Sequence, residues 1–437
     1  MSTPSLSVLP PSTIAQAKAL ANPQPDVQRS LFTPCVKQGR FSSFHCSWSG
    51  SLVSFQEESG VPVGGFAASL VVGGDPQIIG SGAAVSLSYH RNIEILECKE
   101  NSALDKYPLI DYGIIDMVLD SVQPKPGFKI VARAQSLADG SFQVTQTDIE
   151  AYPKRQTFSN HSQLPIMRLS SLRRTHKFLH ALTIFLVRTF ISPGSLSDDF
   201  SILKAARGDD IESLVKEIDF MSKNRNPDLL LAPTHVVLDD NDGLHGFLLP
   251  YQPASSVCVL FFSLHPDIEP ISLAPAASNV TAGNALVADM TISWDLKLAW
   301  VVDIAAGVAW LHEQGIIWGD LKTDNVVLCT NGHCRLIDYC PGGQSTKWAP
   351  PESVWGLDWA ATVTDDVFSL GLVLWSVALE VWDFERQQED GCPLLLWNEH
   401  TPLSFQSLVS SCVQSKPGNR PSTGQVYDSL RREFDSL

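Results

Sequence analysis

The chain has 437 residues, 44% hydrophobic and 18% charged, a balance that suits packed domains and excludes a wholly disordered polypeptide. Its 31 basic and 47 acidic side chains give a formal charge of −16, with no basic patch of the kind that grips nucleic acid. The nine cysteines are scattered and odd in number, and no charged-then-apolar leader follows Met1, so a reducing intracellular setting is expected, cytoplasmic or nuclear.

Residues 1–30 are rich in Ser, Pro, Ala and Gln and read as a disordered tail. From 31 to 150, strand-prone runs recur at 51–55, 66–72, 83–89, 93–98, 114–119 and 128–134. Turn clusters such as Gly73-Gly74-Asp75-Pro76 separate them, which predicts a β-rich module. It carries no chemical motif, so its role stays open. Arg173, Arg174, Lys177 and Arg188 make the next stretch locally basic, which reads as solvated surface. The apolar run 178–187 falls short of the roughly 20 residues a bilayer requires and reads as a buried strand pair or helix.

A strand over 200–206 carries Lys204. Ile211, Leu214, Val215, Ile218 and Met221 then recur at the spacing of one helix face, with Glu217 on its flank. Residues 236–238 and 246–249 suit a hairpin, and Pro250-Tyr251-Gln252-Pro253 a connector. The Ser-, Ala- and Pro-rich stretch 254–292 has room for one short helix and an inserted loop. Ser293 is placed to cap a helix from Trp294 to about Gln314, which Gly315 would stop. Residues 326–328 and 334–337 then pair about the turn Thr330-Asn331-Gly332.

Between that helix and that hairpin lies Trp318-Gly319-Asp320-Leu321-Lys322-Thr323-Asp324-Asn325. A carboxylate can accept a hydroxyl proton, a lysine two positions on can neutralise a transferring phosphate, and an amide oxygen five positions on can ligate Mg²⁺. The stretch resembles the catalytic loop of eukaryotic protein kinases, H-R-D-L-K-x-x-N, with Trp318 and Gly319 in place of His and Arg. Asp338-Tyr339-Cys340 stands where that family has D-F-G, and Trp348-Ala349-Pro350-Pro351-Glu352 resembles its A-P-E. Asp366 opens an apolar run to Trp382 that resembles the family's central buried helix, and Arg420 matches the arginine that pairs with Glu352. These landmarks cover about 195–435.

The resemblance implies an α+β, bilobal protein kinase-like fold over 165–437, with a small lobe at about 165–250 and a large lobe at about 254–437, behind the β-rich module. It implies ATP and Mg²⁺ as cofactors and Ser/Thr hydroxyls of a protein substrate as acceptors. Asp320 would orient and deprotonate the hydroxyl, and Lys322 would steady the γ-phosphate. Asn325 and Asp338 would hold the metal, and Lys204, braced by Glu217, the α- and β-phosphates. No nucleic acid and no membrane span are expected. The sequence also departs from the family. No G-x-G-x-x-G precedes Lys204, Gly319 removes the arginine that reads phosphorylation of the activation segment, and Cys340 replaces a glycine. These departures support an alternative, a pseudokinase that binds nucleotide or scaffolds a partner protein with little or no transfer. Cys329, His333, Cys334 and Cys340 read as incidental hairpin residues, since zinc wants four ligands at finger-like spacing.

Overall fold

The computed structural model describes residues 1–23, 41–47, 63–72, 83–92, 128–136, 142–150, 163–180, 184–192, 195–205, 211–265, 271–273, 291–339, 345–353, 360–386 and 391–437. In chain order these form α1 (Pro11–Ala21), β1 (Phe41–Ser47), β2 (Val63–Val72), β3 (Ala83–Asn92), β4 (Phe128–Ser136) and β5 (Phe142–Glu150). There follow β6 (Ile166–Arg168), β7 (Leu172–His180), β8 (Ile184–Ser192), β9 (Ser195–Ala205), α2 (Ile211–Lys223), β10 (His235–Leu238) and β11 (Leu244–Pro250). The remainder is α3 (Val257–Leu264), β12 (Ile271–Ser272), α4 (Trp294–Glu313), β13 (Val326–Leu328), β14 (Cys334–Leu336), α5 (Val363–Leu379), β15 (Phe384–Glu385), α6 (Leu403–Cys412) and α7 (Thr423–Phe434). The fold class is α+β, with the sheet-and-helix make-up expected of a kinase-like chain.

The chain divides into two compact units, one of Met1–Ser30, Val215–Pro233 and Gln252–Leu437, the other of Leu31–Leu214 and Thr234–Tyr251. The second unit carries two sheets. The first has the order β1-β2-β3-β4-β5, antiparallel except for the parallel pair β3–β4. The strand-prone runs near 66–72, 83–89 and 128–134 fall in β2, β3 and β4, and those at 51–55, 93–98 and 114–119 lie outside the described residues. Strands β1 and β5 are ones the sequence pattern does not mark. The second sheet has the order β6-β10-β11-β9-β8-β7 and packs Leu172, Val187, Leu203, Val237 and Leu248 into a small core. Gly246 of β11 lies so close to β9 that a Cβ there would stand 2.2 Å from the Lys204 carbonyl oxygen.

The first unit is built around α4 and α5. Both are apolar on nearly every side because both are interior helices. Trp300, Val301, Phe368 and Trp375 are almost wholly buried between them and their surroundings. Their ends follow the local chemistry. Thr362 and Asp365 form a capping box at the start of α5, and Ser422 and Gln425 another at the start of α7. Gly315, at φ +73°, ends α4 in the left-handed conformation that glycine adopts without a Cβ penalty. Beyond α5, the buried Glu380 carboxylate accepts from the backbone of Thr291 and Ile292 and pairs at 2.8 Å with the fully buried Lys297 of α4. This fixes the entry of α4 against the exit of α5.

Two expectations require correction. Residues 1–22 are not a disordered tail: a short turn at Leu6–Val8 and helix α1 pack on the first unit, burying Leu9, Ala17 and Ala21. Ala and Gln favour helix, and Pro11 sits at the start, where its missing N–H costs nothing. Ser293 holds the N-cap position of α4, yet its hydroxyl makes no capping bond. Its backbone N–H donates instead to the side chain of Gln16 in α1, at 3.0 Å.

Gly371, in the middle of α5, allows α6 to approach. An added Cβ would meet Cys412 Cβ at 2.7 Å and Val413 Cγ1 at 2.9 Å. Gly371→Ala is therefore expected to destabilise the protein by about 1–3 kcal/mol despite alanine's better helix propensity, read as a lowered midpoint in chemical denaturation.

Candidate functional site

Helix α4 ends in the loop that carries the candidate catalytic residues, and one buried carboxylate sets that loop's path. Asp366, in the first turn of α5 and 1% exposed, accepts from the Trp318 N–H at 2.7 Å and from the Gly319 N–H at 2.8 Å. Its position suits it, since a helix N-terminus favours negative charge. His312, from the last turn of α4, lies 2.8 Å from the same carboxylate through Nε2 and 3.0 Å from the Thr423 hydroxyl of α7 through Nδ1. Three helices thus meet the loop at one point. Gly319 has φ +86°, and this is why a residue without a side chain suits the position.

The turn places Asp320, Lys322 and Asn325 in one hydrogen-bonded cluster. Lys322 Nζ donates to Asp320 Oδ2 at 2.7 Å. The Asn325 amide nitrogen donates to the Asp320 carbonyl at 2.8 Å and to Oδ2 at 3.3 Å. The other carboxylate oxygen, Oδ1, accepts from the backbone N–H of Ser345 at 3.0 Å and from its hydroxyl at 3.2 Å. Lys322 Nζ reaches the same hydroxyl at 3.0 Å. A serine hydroxyl is therefore seated between a carboxylate that can take its proton and an ammonium that can stabilise charge beside it. Sequence reasoning missed this role for Ser345. The available signal was its place as one of the few hydroxyls between Asp338 and Glu352.

Asp338 follows strand β14. The Ile337 N–H donates to the Asn325 carbonyl at 3.0 Å, so Asp338 is one residue from a direct bond to the Asn325 backbone. The left-handed backbone here falls on Asp338 itself, at φ +65°, a conformation aspartate tolerates better than most residues. Cys340, which stands where the family has glycine, lies outside the described residues. Tyr339 stacks on Phe220 of α2 with ring centroids 3.5 Å apart and meets Trp318 edge-on at 5.4 Å. Trp318, fully buried, thus braces the segment after Asp338 by aromatic contact in place of the family's histidine.

The donors present suit a hard divalent cation. Asn325 spends its amide hydrogens on Asp320, which leaves its amide oxygen for a metal, and Asp338 adds a carboxylate. Among the described residues, no group of three or more His, Cys, Asp or Glu could hold an ion. One amide and one carboxylate match the way Mg²⁺ is held, with phosphate and water supplying its other ligands. The zinc alternative gains nothing. Burial pushes the Cys329 thiol up to about 11 and holds that of Cys334 well above its ordinary value, whereas the metal-binding form is the thiolate. His333 is engaged by Asp303 at 2.9 Å.

The far end of the segment is anchored separately. Arg386 Nη1 donates to the Ala349 carbonyl at 2.7 Å, and the Ser369 hydroxyl donates to the Trp348 carbonyl at 3.0 Å. The expected ion pair is present: Arg420 Nη2 lies 2.9 Å from Glu352 Oε2, with Nη1 paired to the other oxygen. Lys204 and Glu217 fall in different units. Lys204 is the last residue but one of β9, opposite Phe247 of β11, with Nζ 5.9 Å from that ring's centroid. Glu217 is buried on α2, 5% exposed.

Residues 277–430 match the family model described as the protein kinase domain. A probable serine/threonine-protein kinase of Dictyostelium discoideum is 31% identical over 170 residues, 34% of this chain and 28% of that protein. A mitogen-activated protein kinase kinase kinase of Caenorhabditis elegans is 28% identical over 164 residues, 32% of this chain and 22% of its own length. Retinal guanylyl cyclase 1 of Rattus norvegicus is 25% identical over 169 residues, 32% of this chain and 15% of that one. The chain thus spans under a third of each of these relatives.

Since the Asp366 carboxylate accepts two backbone bonds in a buried site, Asp366→Asn is expected to cost about 2–4 kcal/mol. The amide presents hydrogens to donors where the carboxylate accepts. The loss is measured by denaturant titration.

Proposed function

The chain is a member of the eukaryotic protein kinase-like superfamily, and on that premise we propose that it transfers the γ-phosphoryl group of ATP to Ser or Thr hydroxyls of proteins, with Mg²⁺. The observation that carries this reading is the Ser345 hydroxyl held by both Asp320 and Lys322. A hydroxyl seated there can give its proton to the carboxylate while the ammonium counters the charge left behind. An incoming substrate hydroxyl would use the same two groups, with the Ser345 segment registered against them.

Asp320 orients the acceptor and takes its proton, and Lys322 steadies the transferring group. Asn325 and Asp338 would hold Mg²⁺, and bound Mg²⁺ supplies charge neutralisation on the phosphates. Lys204, with Glu217 as its brace, is assigned to the α- and β-phosphates. Ser/Thr rather than Tyr as acceptor follows the D-L-K sequence and the names of the relatives. The setting we assign is intracellular. No helix among the described residues is long and apolar enough to cross a membrane.

A second reading is a pseudokinase that binds nucleotide or a partner protein without transfer. It is favoured by the missing glycine loop, by Trp318 and Gly319 in the catalytic loop, and by Cys340 in place of the D-F-G glycine.

The two readings separate in one assay. The full chain is given labelled Mg-ATP and a degenerate Ser/Thr peptide pool, beside Asp320→Asn and Asp338→Ala. The enzyme reading expects transfer by the parent and a loss of about 10²–10⁴-fold in Asp320→Asn. Equal background transfer by all three removes it. A thermal shift with Mg-ATP but no transfer establishes the binding reading.

A further inference from the structure

Helix α1 and the residues before it touch two features of the first unit, the loop before α4 and the β13–β14 turn. Thr13, Ala17 and Ala21 repeat every four residues and form the helix's buried stripe. Gln16 reaches the loop before α4 with both ends of its amide: Oε1 accepts from the Ser293 N–H at 3.0 Å, and Nε2 donates to the Thr291 carbonyl at 2.6 Å. Asn22, at the helix end, donates to the Thr330 carbonyl at 3.3 Å. A Cβ added at Gly332 would meet Leu6 Cδ1 at 3.0 Å and Ala17 Cβ at 3.4 Å, so the N-terminal segment lies directly on the β13–β14 turn. Other groups hold the same turn. Trp300 Nε1 donates to the Gly332 carbonyl at 2.9 Å, and the Thr330 N–H donates to Gln252 Oε1 at 2.9 Å.

This hairpin has an unusual burden for its size. Its strands are three residues each, paired Val326 to Leu336, Val327 to Arg335 and Leu328 to Cys334. An isolated two-stranded ribbon is marginal in water. The strands here are bonded at their outer edges, Leu336 to the backbone of Leu229 and Leu231 and Leu328 to that of Ser255, while the turn between them is held by side chains. Yet β13 starts directly after Asn325, and β14 ends two residues before Asp338. A slip in its register would shift the two residues assigned to the metal with respect to each other and turn side chains to the wrong face.

We propose that residues 1–22 are a positioning clamp for the turn of this hairpin, which acts with the backbone bonds on its strands to hold the spacing of Asn325 and Asp338. The consequence for cation binding rests on the metal role assigned to those two residues. The clamp itself does not.

The test compares the full chain, a chain lacking residues 2–22, and a Gln16→Ala/Asn22→Ala variant that retains α1. Amide hydrogen exchange across 326–336 is read beside Mg²⁺-dependent ATP binding. Removal of the clamp is expected to speed hairpin exchange about tenfold or more while the interior of α5 stays protected. The Mg²⁺ concentration needed for half-saturation with ATP should rise several-fold. A synthetic peptide of residues 1–22 should restore both. Hairpin exchange unchanged in the deletion and in the point variant overturns the clamp, as does loss of protection spread evenly over α5, α6 and α7. If the deletion does not fold, the point variant carries the same measurement. Tighter ATP binding after removal also overturns it, since the segment would then restrain the site. If the full chain binds no Mg-ATP, the metal assignment fails, and the exchange data still decide whether the clamp exists.

Discussion

Everything in the candidate site hangs from the carboxylate of Asp366. A loop that must hold an aspartate, a lysine and an asparagine in fixed relation cannot also form a ladder of backbone bonds, so its N–H groups need partners from elsewhere. Asp366 supplies two of them from the first turn of a buried helix, where the helix's own end favours the charge. His312 joins the same carboxylate, so the end of α4, the start of α5 and the start of α7 meet at one point. The geometry of the loop is thereby borrowed from the most buried part of the first unit.

The other anchor is aromatic. Phe220, Tyr339 and Trp318 meet in one contact group, which joins helix α2, the residue after Asp338 and the residue two before Asp320. A tryptophan where the family carries histidine looks in sequence like damage. In the structure it replaces a small polar brace by a larger apolar one, compatible with the tyrosine beside Asp338. The backbone strain follows the same pattern. The left-handed angles fall on Gly319, which has no side chain to clash, and on Asp338.

Much of this was legible because the chemistry needs particular residues at particular spacings. Asp320, Lys322 and Asn325 lie within six residues, so a single loop carries all three, and Asp366 fixes the path that brings them together. The ion pair of half-buried Glu352 and buried Arg420 was legible from the landmarks on either side. Helices α4 and α5 were legible from their apolar content and stops. What escaped depended on contacts distant in sequence or on weak signals. Ser345 acquires its role only once the segment folds back onto Asp320. Helix α1 resembles a tail in sequence because alanine and threonine give little hydropathic contrast, although small side chains are what allow a helix to lie close against its support. Ser293 looks like a cap by residue type, but the bond goes to Gln16, 277 positions away. Strands β1 and β5, rich in Ser, Gln and Thr, lack the apolar runs that mark their neighbours.

The ordering of the chain has a consequence for its biosynthesis. Ser2 bonds to Tyr427 across a sequence separation of 425, and α1 rests on α4 and the β13–β14 turn. On a ribosome adding about 5–20 residues per second, the first helix waits roughly 20 to 90 seconds before the last of its supporting surface emerges. The residues of two sheets are made in the interval. Residues 1–22 are therefore made well before the surface they rest on is complete. A segment in that position needs either a holding chaperone or a composition bland enough to wait unfolded in water, and the small, weakly apolar residues of α1 meet the second requirement.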